Sequence, residues 1–130
     1  MTELTIFSFI LDGNPIPLAR HRHGNGRTWD SQKQAKVAIG LQLVNQFKHE
    51  PLTGPLKLDV TFFLPPPQKN KKIINTYHHY RPDLDNLIKM ICDSANKILY
   101  KDDSQISVLN AQKKYSLKPR TELAISNINQ

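Results

Sequence analysis

A single cysteine, Cys92, among 130 residues excludes an intrachain disulfide and a cysteine-built zinc site. Such sparing thiol use fits a reducing cytoplasm, the compartment expected for this chain. No run approaches the roughly 18 apolar residues that a membrane-spanning helix needs. The first residues, Met1-Thr2-Glu3-Leu4, lack a basic stretch followed by a long apolar one, so no signal peptide is expected. Internal repeats and composition breaks are also missing, which points to one domain over residues 1–130.

What is abundant is positive charge. Eighteen Lys and Arg face eleven Asp and Glu, a formal net charge of +7. A balance of this size suits a polyanion such as nucleic acid, and also, less specifically, a membrane surface or plain solubility. Two stretches concentrate it. Residues 15–30 read as an irregular loop carrying Arg20, Arg22 and Arg27, and residues 68–81 as a mobile polar loop carrying Lys69, Lys71, Lys72 and Arg81. These seven cations are the expected contacts to the phosphates of such a polyanion.

Between the loops the pattern is regular. Residues 4–11 are apolar on both faces and read as a central strand covered on both sides. A helix is expected from an N-cap at Asp30 or Ser31, with apolar rows Val37, Leu41, Val44 and Ile39, Leu43, Phe47, and Pro51 closing the segment. Residues 56–64 alternate as a strand, and Pro65-Pro66-Pro67 ends it. A second helix is expected over 84–98, with Leu84, Leu87, Ile88, Ile91, Ala95 and Ile98 as its buried stripe. Two strands, 105–117 and 120–128, follow, joined at Lys118-Pro119, and a bulge is expected near Asn110. The order β-α-β-α-β-β predicts an α+β fold with both helices packed on a mixed sheet.

The chemistry concentrates late in the chain. Asp83, Asp85, Asp93, Asp102 and Asp103 are five of the eleven acids, gathered within 21 positions of a basic protein. Crowded carboxylates raise one another's pKa unless a cation neutralises them, and Mg²⁺ takes hard oxygen ligands of this kind. Asp83 and Asp85 sit at period two in an extended approach to the helix, so their side chains point to one side. Lys89 follows Asp85 by four residues and shares its helix face, where an ammonium can stabilise charge on a phosphate. Each residue also has a plain reading. Asp83 or Asp85 alone is a helix N-cap, Lys89 a surface ion-pair partner of Asp85, Asp93 another surface partner, and Asp102-Asp103 a solvated turn. His21, His23, His78 and His79 lack companions at metal-ligand spacing and read as loop polarity or DNA contacts. Cys92 reads as a small core residue.

Arg81-Pro82-Asp83-Leu84-Asp85-Asn86-Leu87-Ile88-Lys89, then Asp93, then Tyr100-Lys101-Asp102-Asp103-Ser104-Gln105-Ile106, resembles the signature of RusA-type crossover junction endodeoxyribonucleases. The likeness extends more loosely to Gly13, Pro15, Pro17 and Arg20. The family often occurs in phages and prophages. The resemblance implies a Mg²⁺-dependent (or Mn²⁺-dependent) homodimer that resolves four-way DNA junctions by paired nicks, in recombination and repair. It places the essential carboxylates on Asp83, Asp85 and Asp103, the last chosen over Asp102, and the catalytic-site lysine on Lys89. Two other readings compete: a non-catalytic basic DNA-binding module, whose binding would survive EDTA, and a metal-dependent phosphohydrolase of small nucleotides, which would leave the positive charge unexplained.

Overall fold

In a computed structural model the structure describes residues 4–19, 27–67 and 70–128; the side chains of residues 27–31 and 71 lie outside that description. Four strands and two helices follow in the expected order: β1 (Ile6–Asp12), α1 (Arg27–Gln46), β2 (Leu56–Leu64), α2 (Leu84–Ala95), β3 (Ile106–Tyr115) and β4 (Arg120–Asn127). The sheet runs β1-β4-β2-β3. β4 is antiparallel to both β1 and β2, whereas β2 and β3 are parallel, so the sheet is mixed.

The parallel pair follows from α2. A strand that leaves β2, crosses through a helix and returns to the same sheet comes back in the original direction. β3 and β4, although consecutive, are therefore not neighbours: β2 lies between them. The Lys118-Pro119 link spans that gap rather than closing a hairpin.

Strict alternation makes β2 the spine of the core. Leu56, Leu58, Val60, Phe62 and Leu64 are buried on one face, and Lys57, Asp59, Thr61 and Phe63 occupy the other. The buried row joins Phe9 and Leu11 of β1, Leu123 and Ile125 of β4, Leu43 of α1 with Phe47 just past its end, and Leu87, Ile91, Cys92 and Ala95 of α2 in one cluster. Both helices thus cover the same face of the sheet. They pass close at Gly40, where an added Cβ would stand 3.9 Å from Ser94 O of α2 and 3.4 Å from the Ile98 side chain just beyond it.

Four expectations are corrected. β1 is an edge strand, not a central one, and its outward Ile6 and Ile10 are exposed. Its open edge is occupied instead by glutamines one turn apart on α1. Gln46 receives Ile10 N–H at 3.0 Å and donates to Ile10 O at 2.8 Å; Gln42 receives Asp12 N–H at 2.8 Å. Second, α1 starts at Arg27, inside the segment read as loop, and of the two expected rows turns only the Ile39–Leu43 one, with Phe47 just past its end, to the core. Val37, Leu41 and Val44 face outward and are exposed. Third, the irregularity in β3 lies opposite the Leu56/Lys57 step, near Ser107, not at Asn110. Fourth, α2 ends at Ala95, because Asn96 leaves helical geometry at φ −57°, ψ 133°.

The 68–81 segment is more ordered than the mobile loop expected, with residues 68 and 69 outside the description. A 3₁₀ turn spans Lys71–Ile73, and residues 75–78 then pair with the outer edge of β3. Asn75 N–H donates to Tyr115 O at 2.9 Å, Tyr115 N–H to Thr76 O at 3.0 Å, and His78 N–H to Lys113 O at 3.0 Å.

Candidate active site

The approach to α2 is built from the sheet outward. Lys113 sits on the helix-facing side of β3, in register with buried Phe62. Its Nζ reaches across to donate to Tyr80 O at 2.7 Å and Pro82 O at 2.8 Å. An ammonium shared by two carbonyls makes charge-assisted hydrogen bonds, stronger than neutral ones. It fixes the backbone on both sides of Arg81 immediately before Asp83. Leu18 N–H also donates to Asn86 O at 2.9 Å, so the segment that precedes the first basic run lies against the first turn of α2.

Asp83 occupies the N-cap position of α2 with extended geometry, φ −70° and ψ 141°, yet its side chain makes no capping bond. The plain reading of Asp83 as a cap is therefore not what its carboxylate does. Asp85 lies in the first turn, where one carboxylate oxygen accepts Asn86 N–H at 2.9 Å. Both acids are exposed at the helix end whose free N–H groups favour negative charge.

The second acid pair divides its roles. Asp102 caps a 3₁₀ turn over Asp103–Gln105: its carboxylate accepts Ser104 N–H at 3.0 Å, and the Gln105 side chain accepts the Asp102 N–H at 3.2 Å. The bond from Ser104 holds the Asp102 carboxyl below its ordinary pKa. Gln105 also ties the turn to the body by donating to Leu52 O at 2.9 Å. Asp103, half-buried, carries no such capping duty. The turn lies against α2, and the charge of Asp103 is felt at Cys92 and Tyr100.

Lys89 forms an ion pair with Asp93, one turn further on, at 3.7 Å; Lys36 of α1 approaches the other Asp93 oxygen at 3.8 Å. Asp93 thus neutralises two lysines at the α1–α2 seam, as its surface-partner reading held. Lys89 remains mostly exposed and close enough to influence Asp102. Cys92 is buried, and desolvation pushes its thiol up to about 11, so it stays protonated and inert.

Of the expected DNA contacts, Arg20, Arg22 and Lys69 lie outside the described residues. Arg27 begins α1 and Lys71 begins the first 3₁₀ turn, but their side chains lie outside the description; Lys72 and Arg81 are exposed. Sequence reasoning missed Lys113. Its signal was a basic residue on the apolar side of a strand register, visible only once β3 is aligned with β2.

Among the described residues, no three His, Cys, Asp or Glu side chains already converge to metal distance. The donor chemistry nonetheless suits Mg²⁺, which commonly takes one or two carboxylates and fills its remaining positions with water and phosphate. Asp83, uncommitted to capping, and Asp85 meet that need.

Fold and site together define a basic α+β protein whose aspartates gather at the start of one helix and at the turn beyond its end. The family model described as Endodeoxyribonuclease RusA matches residues 12–126, and the chain belongs to that family of endodeoxyribonucleases. It is similar to the uncharacterized protein YqaN of Bacillus subtilis (strain 168), 32% identical over 137 aligned positions that cover 93% of this chain and 96% of the relative. It is also similar to the crossover junction endodeoxyribonuclease rusA of Lactococcus phage r1t, 45% identical over 75 positions, 57% of this chain and 56% of the phage protein. No helix among the described residues is long and apolar enough to cross a membrane.

Proposed function

We propose that this protein is a Mg²⁺-dependent endonuclease that resolves four-way DNA junctions by paired phosphodiester cleavage in recombination and repair. The observation that carries the reading is the Asp83 carboxylate, set at the mouth of α2 and left uncommitted by the helix it precedes. Asp83 and Asp85 would hold the metal, with Asp103 joining them on loading, and Mn²⁺ would substitute. When bound, such an ion neutralises charge developing on the phosphoryl oxygens.

The chain's own groups do the rest. Lys113 fixes the backbone that presents Asp83. Lys89 lends positive charge beside the scissile phosphate, and its ion pair with Asp93 orients its side chain. Lys72 and Arg81, with Arg20, Arg22, Arg27, Lys69 and Lys71, neutralise the DNA backbone. Six such contacts would give a slope near −5 for log affinity against log salt. Support for a junction substrate comes from the family and from the phage relative named a crossover junction endodeoxyribonuclease. Two symmetric nicks require two sites, which a C2 homodimer supplies. The exposed row Val37, Leu41 and Val44 on α1 gives the partner copy an apolar surface. The inert thiol and net positive charge suit work on DNA in the cytoplasm, whether for a prophage or its host.

The test is nicking of a labelled four-way junction beside a linear duplex, with Mg²⁺, Mn²⁺ or EDTA. Asp85→Asn preserves shape and removes one charge. The expected result is unchanged junction binding and nicking reduced by roughly a hundredfold or more, on the order of 3 kcal/mol of barrier. Wild-type binding without nicking under any metal would instead favour the non-catalytic DNA-binding module.

A further inference from the structure

We propose that Tyr80, backed by His79, is a seat on which one unpaired nucleobase of the DNA stacks beside the cutting site; the inference rests on the nuclease reading and adds to it how the branch point is held. Tyr80 is 66% exposed, unusual for a large aromatic residue whose backbone is pinned on both sides. Lys113 Nζ holds Tyr80 O at 2.7 Å, and Tyr80 N–H points at His78 Nδ1 at 3.4 Å.

The rings form a ladder that runs out from the core. Buried Tyr115 meets the His78 ring at 4.8 Å between centroids, His78 meets Tyr80 edge-on at 6.4 Å, and Tyr80 lies over His79 at 4.4 Å with a tilt of 33°. A flat ring preset in this way offers a base its partner face without first being ordered, which lowers the entropy cost of stacking.

Position and charge select the occupant. Tyr80 precedes Asp83 by three residues, and the same ammonium that holds Tyr80 O also holds Pro82 O. The sequence between Asp59 and Asp83 contains no acid and carries Lys69, Lys71, Lys72 and Arg81. Exposed Arg81, next to Tyr80 in the chain, supplies positive charge beside the ring, which suits a base with its phosphates attached. A continuous duplex hides its base faces in the stack, whereas a branch point can release one.

The experiment is performed in EDTA, so that binding is read without cleavage. A four-way junction carries 2-aminopurine, whose fluorescence reports stacking, at the branch point; a single strand and a linear duplex of one arm serve as companions. Wild type is compared with Tyr80→Ala and Tyr80→Phe, each checked by thermal melting. For Tyr80→Ala the expected result is roughly a five- to hundredfold loss of affinity for single strand and junction. The 2-aminopurine response should vanish, and duplex binding should hold. Tyr80→Phe, which keeps the ring, should retain both signals. Failure of the wild type to bind single strand, unchanged binding by Tyr80→Ala, or loss in Tyr80→Phe equal to that in Tyr80→Ala would each overturn the proposal. Parallel nicking in Mg²⁺ separates the two readings. Normal nicking without Tyr80-dependent stacking sinks only the stacking seat, and Tyr80-dependent stacking without nicking sinks only the nuclease.

Discussion

Replacing Lys113 by Met isolates the tie between β3 and the start of α2. Met keeps most of the apolar stem and removes the ammonium, so Tyr80 O and Pro82 O lose donors now at 2.7 and 2.8 Å. A hydrogen bond to a charged group contributes about 1.5–3 kcal/mol when well sheltered. The Tyr80 contact is exposed and the Pro82 contact partly buried, so solvent recovers much of the loss. A net cost of about 2 kcal/mol follows, below the summed range of about 3–6 kcal/mol because of that solvent recovery. For a chain of this length that lowers Tm by roughly 6–10 °C. The same variant should raise the Mg²⁺ concentration for half-maximal nicking, because the backbone that presents Asp83 is no longer fixed. Calorimetry and a Mg²⁺ titration of junction nicking measure the two effects. A Tm within about 1 °C of wild type would refute the claim that these bonds hold the segment.

The two aspartates at helix starts should behave oppositely. Asp102→Ala loses a cap and a capping box and should lower the midpoint of a denaturant titration, whereas Asp83→Ala should leave the midpoint nearly unchanged and abolish nicking. His78 carries a pH signature. Burial first, then Lys113 and His79, lower its pKa from an ordinary value of 6.5. The folded state then binds fewer protons than the unfolded one below about pH 6.5, so stability is full above that pH and falls as the solution is acidified towards the lowered pKa. His78→Gln should flatten that part of a Tm-against-pH curve; an unchanged curve would remove His78 as the cause.

What the sequence disclosed depends on range. β2 was legible residue for residue because its period-two pattern is local and Pro65 cuts it off. The start of α2 was legible for the same reason, and its acids announced themselves by crowding. Sheet order was not, since the insertion of β2 between β3 and β4 is decided by contacts more than 50 residues apart in sequence. β1 misled because Ile6 and Ile10 suggested cover on both faces, while the groups that finish its edge, Gln42 and Gln46, read as ordinary polar positions on a helix. The choice between Asp102 and Asp103 needed hydrogen-bond partners: one carboxylate is committed to Ser104 N–H, and the capping role of the other is absent. The pairing of Lys89 with Asp93 needed rotamers.

The glutamine pair on α1 also bears on how molecules of this protein can meet. A bare outer strand invites a neighbour to dock main chain against main chain, the first step of fibrous assembly. At Ile10 and Asp12 that templating position is already filled by side-chain amides that imitate a fifth backbone and then stop. Along that half of β1, growth of the sheet from copy to copy is closed off, and any twofold pairing there must be made by side chains meeting side chains.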